Sequence, residues 1–344
     1  MIRRPEVLDH TTTPDASMIV HRRDELQQLA RAFQGLENGR PVNPVFLTGP
    51  SGVGKSLLAE AVTDRLVRGT SDELAVDIAS VNCWTTRSRY EVTFEVARQL
   101  VGGARLHHDS TPRLDLLDRL QSTTDRHDPT SQRIVVLDEV DVVDTDVLYD
   151  LADLPSTSLL LVSNEARSFL GSLDPRIESR LSVGQEVRLE PYTADELVRI
   201  LEKRVEYGLE HDVISQRQLE RIARHADGDA RKAISTLREA AEAAQGRSQT
   251  ITNTLIDEAI PEARERLRQE NLAKLDPHQQ VLFDIVDEYG PVSPGTLQEL
   301  YEDRMGDDAK TQRTTRRSAK KMVYYDLLVA RGEGPSREYA VATT

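Results

Sequence analysis

The stretch FLTGPSGVGKSLLAE, residues 46–60, constrains the rest of the chain more than any other. Gly49-Pro50-Ser51-Gly52-Val53-Gly54-Lys55-Ser56 satisfies the phosphate-loop pattern G-x-x-x-x-G-K-[ST] at every fixed position. Glycines at these places let the backbone wrap an anion so that successive N–H groups point at it. A lysine at position 55 can reach the β- and γ-phosphates of a nucleotide, and the Ser56 hydroxyl suits a magnesium ion. Val45-Phe46-Leu47, just before the loop, reads as a buried strand. Leu57 to Val67, just after it, reads as a helix whose N-terminus adds orphan N–H groups and a positive dipole end. Gly49 through Leu57 is therefore the candidate nucleotide-binding segment.

Downstream, Ile134-Val135-Val136-Leu137-Asp138-Glu139 is an apolar strand that ends in two carboxylates. In an open parallel sheet, ligands bind at the carboxyl edge of the strands. Asp138 there can hold Mg²⁺, directly or through water, and Glu139 can orient or deprotonate an attacking water. Asp141 adds a nearby acid. Taken alone, the pair reads equally well as an acidic helix start; its place behind a buried strand and after the phosphate loop favours chemistry. Ser163-Asn164 ends the next buried strand, where the Asn164 amide can position the lytic water. In isolation it would pass for a turn or cap residue.

Leu173-Asp174-Pro175-Arg176-Ile177-Glu178-Ser179-Arg180-Leu181 places two arginines four apart, on one helical face. A guanidinium can neutralise charge on a transferring phosphoryl group, from the same chain or a neighbour. The plain alternative is a surface ion pair. Gly228-Asp229-Ala230-Arg231 opens another helix, with Asp229 as its cap and Arg231 able to fold back toward a nucleotide.

The order of these elements defines the organisation. Residues 1–17 read as a flexible lead-in. Strands expected at 74–81, 133–137, 159–163 and 187–189 alternate with helices at 24–37, 90–101 and 114–120, which argues for a parallel sheet covered on both faces. The α/β core is thus placed at 18–190. Beyond it the pattern is helical: 194–208, 215–226 and 230–245 suggest a small lid, and 252–275 a linker helix, together 191–275. The last part, 276–344, carries helices near 278–289, 294–304 and 311–328, then the turn Arg331-Gly332-Glu333-Gly334-Pro335 between two short β-prone pieces. That succession suggests a winged helix-turn-helix.

Within its third helix, Arg313, Arg316, Arg317, Lys320 and Lys321 follow i, i+3, i+4, i+7, i+8 spacing with no acid between Gln312 and Tyr325. This spacing predicts one basic face, with Ala319, Met322 and Val323 turned inward. The net charge of the chain is -14, so a stretch cleared of acids is informative. A solvated basic face is the bland reading; the position before a glycine-rich hairpin favours insertion into a major groove, with Arg337 as a wing residue for the minor groove.

Composition sets the surroundings. There are 7 lysines against 37 arginines, and aromatics are 4% of the chain. An acidic, lysine-poor, aromatic-poor surface suits concentrated salt, though an ordinary acidic protein from a GC-rich genome would look similar. Multimolar salt weakens phosphate contacts, so base-edge and shape contacts are expected to carry more of any DNA binding. Overall negative charge argues against indiscriminate nucleic-acid binding. The single cysteine, Cys83, allows no internal disulfide and fits a reducing compartment. No apolar run reaches the length of a membrane span, and no apolar signal core is seen at the N-terminus. The expectation is a soluble, cytoplasmic, nucleoid-associated protein with no membrane partner. His107-His108-Asp109 has no further ligand at metal spacing and reads as a loop.

Phosphate loop, D-E-x-D, Ser-Asn, D-P-R-x-x-S-R-L and G-D-A-R-K-A-I, in this order, resemble the AAA+ ATPases. VNCWTTRSRYEVTFEVARQL, residues 81–100, resembles the archaeal origin-recognition and cell-division-control initiators more than clamp loaders. The resemblance runs from about residue 18 to the end. It implies an AAA+ core with a helical lid and a winged helix, binding ATP or ADP with Mg²⁺ through Lys55, Ser56, Asp138 and Glu139. It also implies Asn164 as first sensor, Arg180 as arginine finger, with Arg176 the other candidate, and Arg231 as second sensor. His21-Arg22-Arg23-Asp24 stands where the family's adenine-side motif lies, and a DNA-contacting helical insertion is implied between the second strand and the D-E strand. The implied function is ATP-dependent binding of double-stranded origin DNA and recruitment of a minichromosome-maintenance-type helicase, with slow hydrolysis and association with itself or a paralogue on DNA. Two rivals stand beside it. A clamp-loader subunit is disfavoured by the basic terminal helix; a DNA-binding regulator that senses ATP without turnover is disfavoured by Glu139 and Asn164.

Overall fold

The computed structural model describes residues 1–12, 18–69, 74–102, 106–108, 110–123 and 131–342. The chain divides into two units, residues 13–196 on one hand and residues 1–12 with 197–344 on the other.

In the first unit, the apolar run Val45–Thr48 is strand β1, buried at all four positions. Helix α1 (Arg23–Ala32) precedes it. The helix expected to continue to Glu37 stops at Ala32; the chain tightens into a 3-10 turn over Gln34–Asn38, closed by Gly39 in the left-handed region at φ 65°. After the phosphate loop comes α2 (Lys55–Gly69), then β2 (Ala75–Asn82). Helix α3 (Arg89–Ala97) starts at a capping box formed by Ser88 and Glu91 and passes into a wider π turn over 98–102, so the regular helix is shorter than expected. α4 (Arg113–Ser122), β3 (Ser131–Asp138), α5 (Asp146–Ala152) and β4 (Thr157–Ser163) follow. Two short helices, α6 (Ala166–Leu170) and α7 (Pro175–Leu181), lead to β5 (Gln185–Arg188).

All five strands are parallel and lie in the order β2-β3-β4-β1-β5. The chain therefore leaves β1 for the far edge, returns through β3 and β4 to β1's side, and crosses to β5. β1 and β4 end together, Thr48 opposite Ser163, while β3 ends at Asp138 beside Asn82 of β2. This is the topological switch point of a doubly wound sheet, where a crevice opens at the carboxyl ends. Leu29 and Phe33 from the α1 side, Leu58 and Val62 from α2, and Val45, Leu47, Ile134, Val136, Leu160 and Val162 from the strands make one buried core behind it. Strands this apolar need cover on both faces, which the flanking helices give.

The second unit contains most of α8 (Ala194–Gly208), with α9 (Gln216–Ala226), α10 (Ala230–Gly246) and α11 (Asn253–Leu272). Ala233, Leu237, Ala240, Ala241 and Ala244 recur at helical spacing on α10 and pack with Leu255, Ile256, Ala259 and Ala263 of α11. Pro261 lies inside α11 without ending it. The first residues, read as a flexible lead-in, are held on this unit as a strap. Ile2 bridges to Leu209, the Arg3 N–H donates to the Gly208 carbonyl, and the buried Arg204 guanidinium donates to the Val7 carbonyl at 2.6 Å. Val7 and Leu8 are buried. Residues 13–17 of that expected lead-in lie outside the described residues.

The unit ends in α12 (Pro277–Tyr289), α13 (Pro294–Met305) and α14 (Gln312–Tyr324), then the antiparallel hairpin β6 (Leu328–Arg331) and β7 (Glu338–Val341). This is the element order of a winged helix. A polar chain through the buried Tyr301 sets the turn between its helices: His278 Nδ1 lies 2.7 Å from the Tyr301 hydroxyl, which accepts from the Lys310 N–H at 3.2 Å. Thr315 then donates to Gln298, fixing α14 on α13. Among the described residues no helix is long and apolar enough to cross a membrane.

Candidate functional site

The phosphate loop joins β1 to α2 through backbone that only glycine tolerates. Gly49 has φ 145°, and a Cβ there would lie 2.4 Å from the Leu189 carbonyl oxygen. Gly54 has φ 89°, and its Cβ would meet the Tyr192 hydroxyl at 3.0 Å. The loop is fastened to β4 by the Gly49 N–H, which donates to the Asn164 carbonyl at 3.2 Å. Lys55 is buried, and its ammonium donates to the carbonyls of Gly49 and Pro50, both at 2.8 Å. The Ser56 hydroxyl donates to Asp138 Oδ2, and Asp138 Oδ1 accepts from the Glu139 N–H at 2.9 Å. Burial pushes the Asp138 carboxyl up, and the neighbouring Glu139 charge adds to it. Glu139 itself sits in the left-handed region at φ 55°, an uncommon state for a residue with a side chain.

Asn164 is brought to the same edge. Its N–H donates to Asp141 Oδ2 at 3.1 Å. Its side-chain oxygen Oδ1 is buried with no hydrogen-bond partner among the described residues, as are the hydroxyls of Ser163 and Ser51. Orphaned polar atoms cost free energy unless something completes them. Those atoms, a loop that only glycine can line, and a lysine, serine and aspartate converging on it fit a nucleotide triphosphate with Mg²⁺. The structure thus unites the residues of the phosphate loop with Asp138, Glu139 and Asn164, as their spacing in sequence predicts.

A neighbouring pair was not fully foreseen. His21 and Arg22 both have φ 63°. The Arg22 guanidinium lies 4.1 Å from the centroid of the Tyr192 ring, pairs with Glu25 at 3.0 Å and donates to the Glu190 carbonyl. Tyr192 is buried, which raises its phenol pKa, and its hydroxyl reaches the end of the phosphate loop at Gly54. His21 Nε2 is buried without a partner among the described residues. The signal for Tyr192 was weak: Pro191-Tyr192 after the last strand, in a chain where aromatics are scarce.

The two candidate finger arginines lie on α7. Arg180 pairs with Asp153 at 2.6 Å and stacks 4.4 Å from the Tyr149 centroid, while Arg176 is mostly exposed beside Asp174. Between β2 and β3 the described chain forms α3 and α4; residues 103–105 and 109 of the expected loop at 102–112 are outside the described residues.

In the other unit, Asp229 caps α10 by accepting from the Arg231 and Lys232 N–H groups at 2.8 and 3.2 Å. Arg231 also approaches Asp229 at 3.5 Å through its guanidinium. On α14 the basic residues do not form the single face that spacing predicts. Arg313, Arg316 and Lys320 are exposed and Arg317 is half-buried, whereas Lys321 is only 4% exposed. Its ammonium lies 5.1 Å and 5.3 Å from the ring centroids of Tyr324 and Tyr325. An i+8 residue has rotated far enough round the helix to enter the core edge, where aromatic faces hold its charge. Arg337 is exposed after the hairpin turn.

Comparison with known proteins agrees with this architecture. Residues 19–163 match the AAA ATPase domain, and residues 198–261 match the Cdc6 AAA+ ATPase-type lid domain. The chain is 36% identical over 343 residues to ORC1-type DNA replication protein 9 of Halobacterium salinarum, covering 99% of this chain and 94% of that protein. It is 37% identical over 300 residues to ORC1-type DNA replication protein 1 of the same organism, covering 87% of this chain and 94% of the other. Among solved structures, the Aeropyrum pernix ORC1 protein in complex with DNA superposes with TM-score 0.71 at 26% identity, over 100% of this chain and 94% of that one.

Proposed function

This chain belongs to the ORC1-type DNA replication proteins, and from that premise we propose that it is an ATP-dependent initiator that binds double-stranded origin DNA and recruits the replicative helicase. The observation that carries the reading is the crevice at the ends of β1, β3 and β4. There Lys55, Ser56, Asp138, Glu139 and the orphaned Asn164 amide oxygen converge behind an AAA ATPase domain.

ATP with Mg²⁺, when bound, supplies the phosphoryl group that is transferred and the cation that neutralises its charge. The protein's part is positional. Backbone N–H groups from Ser51 to Ser56 would hold phosphate oxygens, and Lys55 would exchange its two loop carbonyls for them. Ser56 and Asp138, already joined, are the candidate cation ligands. Glu139 orients or takes the proton of the attacking water, and Asn164 Oδ1, buried and unsatisfied, holds that water in line. Arg22 and Tyr192 line the side of the loop suited to the base. Arg180 stands in an exposed ion pair, which suits a finger offered to a neighbouring protomer or paralogue, so an isolated protomer should turn over slowly. Arg231 is the second sensor.

DNA binding is assigned to the winged helix. Arg313, Arg316, Arg317 and Lys320 present guanidinium and ammonium groups from α14, with Arg337 from the wing. The Aeropyrum pernix ORC1 protein was solved in complex with DNA, which supports DNA binding by this chain. Helicase recruitment and a cytoplasmic, nucleoid-associated location follow from the family reading.

The test is direct. Equilibrium dialysis with labelled ATP and Mg²⁺ should show uptake that Lys55→Ala removes. Footprinting of the intergenic DNA beside the gene should give a protected, repeated element. A folded protein that takes up no nucleotide would overturn the reading.

A further inference from the structure

Consecutive residues of α10 meet consecutive residues at the end of α14. Arg231 Cζ lies 6.0 Å from the centroid of the Tyr325 ring. Its neighbour Lys232 pairs with Asp326 at 3.1 Å. From α11, the Asn271 side-chain amide donates to the Tyr325 carbonyl at 3.2 Å. The same Tyr325 ring, 8% exposed, also takes the Lys321 ammonium of α14. Arg231, Lys232, Asn271, Tyr325 and Asp326 line a cleft of about 260 Å³.

We propose that Tyr325 is a positioning residue that couples Arg231 to the DNA-facing helix α14. The inference rests on the reading of Arg231 as a nucleotide sensor and of α14 as the DNA reader. One aromatic ring has two cations beside it, one from each side of the coupling. A ring's attraction for a cation depends on how close and how desolvated that cation is. When an anion draws Arg231 away, Tyr325 loses one of these two charges, while Lys232 of α10 and Asn271 of α11 still hold the end of α14. The end of α14 is then freer to shift, and Arg316 and Lys320 shift with it. Linkage makes the effect mutual: DNA that fixes α14 changes how available Arg231 is to its anion, by the same factor. Asp326 reinforces the junction, because it holds a left-handed φ of 56° directly after Tyr325 and ends the helix there.

The test compares the full-length wild type with Tyr325→Leu and Tyr325→Phe. Affinity for a fluorescein-labelled mixed-sequence duplex is measured by anisotropy with ATP and then with ADP. The wild type should differ by roughly 5-fold or more between nucleotides, the lower range of site-to-site couplings. Tyr325→Phe keeps the ring and should keep most of that ratio. Tyr325→Leu should bring it close to one. An undiminished ratio in Tyr325→Leu overturns the coupling and leaves the initiator reading intact, as does a wild-type ratio of one with both ligands bound. A wild type that binds no nucleotide overturns the initiator reading, and the coupling with it. Should Tyr325→Leu unfold, amide exchange at residues 321–326 of the wild type decides: protection that changes between ATP and ADP supports the coupling, and identical protection overturns it.

Discussion

The Ser56 hydroxyl donates to Asp138 Oδ2 across 2.6 Å and so joins the first turn of α2 to the end of β3. Two residues that lie 82 apart in sequence are already partners where a cation is expected to bind. Ser56→Ala removes one hydrogen bond at a solvent-facing edge. It should change the free energy of unfolding by about 1 kcal/mol or less. Hydrolysis should fall by roughly 10²-fold, the usual loss when one preorganised electrostatic contact is deleted. Denaturant melts and phosphate-release assays on the same preparation would check both; a large stability loss with intact turnover would assign the pair a structural role only.

Glu139→Gln separates binding from hydrolysis. The amide keeps the size of the side chain but cannot accept a proton. ATP affinity should stay within a few-fold of wild type, and turnover should drop by roughly 10²-fold or more, as expected when a general base is lost. A variant that turns over normally would move the base elsewhere, Asp141 being another acid on that edge.

Lys320 and Lys321 are sequence neighbours with different surroundings, one exposed and one buried against two tyrosine rings. If Lys320 meets a DNA phosphate, Lys320→Ala should lower the slope of log affinity against log salt by about 1. Its melting temperature should not move. Lys321→Ala should do the reverse: a lower melting temperature from lost packing and cation–π contact, with the salt slope unchanged. Anisotropy titrations at several potassium chloride concentrations, paired with thermal melts, distinguish the two.

His10, on the N-terminal strap, lies 3.3 Å from Ser235 and 3.2 Å from Glu270. Burial holds its imidazole below the usual value; Glu270 and Asp9 oppose this, while Arg231 and Lys274 add to it. The unfolded chain therefore takes up the proton first as pH falls. Stability is full above the ordinary imidazole range and is lost as the pH drops through 6.5 toward the lower folded value. His10→Gln should flatten that slope. Urea midpoints measured from pH 8 to 5 would show it, and parallel curves for variant and wild type would exclude His10 as the cause.

The nucleotide crevice was legible because each part of it is local in sequence. The phosphate loop, the strand ending in Asp138 and Glu139, and Ser163-Asn164 each carry their own neighbourhood, and a parallel sheet brings the strand ends together. The five strands and the long helices α8, α10 and α11 were legible for a similar reason, since period and capping extend over many residues. Short helices gave less. α5 and α6 have 7 and 5 residues, too few turns to establish a period. Lys321 misled because spacing predicts an angle round the helix and not which angles are covered. Tyr192 and the strap were invisible because their meaning depends on partners distant in sequence, Arg22 and Arg204 respectively.

The strap has a consequence for how the chain is made. Val7 accepts its hydrogen bond from Arg204, 197 residues later. At roughly 5–20 residues per second, synthesis leaves that partner missing for about 10–40 s. During that wait the five-stranded half can mature while two apolar residues, Val7 and Leu8, stay in water. Docking of this segment thus waits until α8 has emerged, after the five-stranded half is complete.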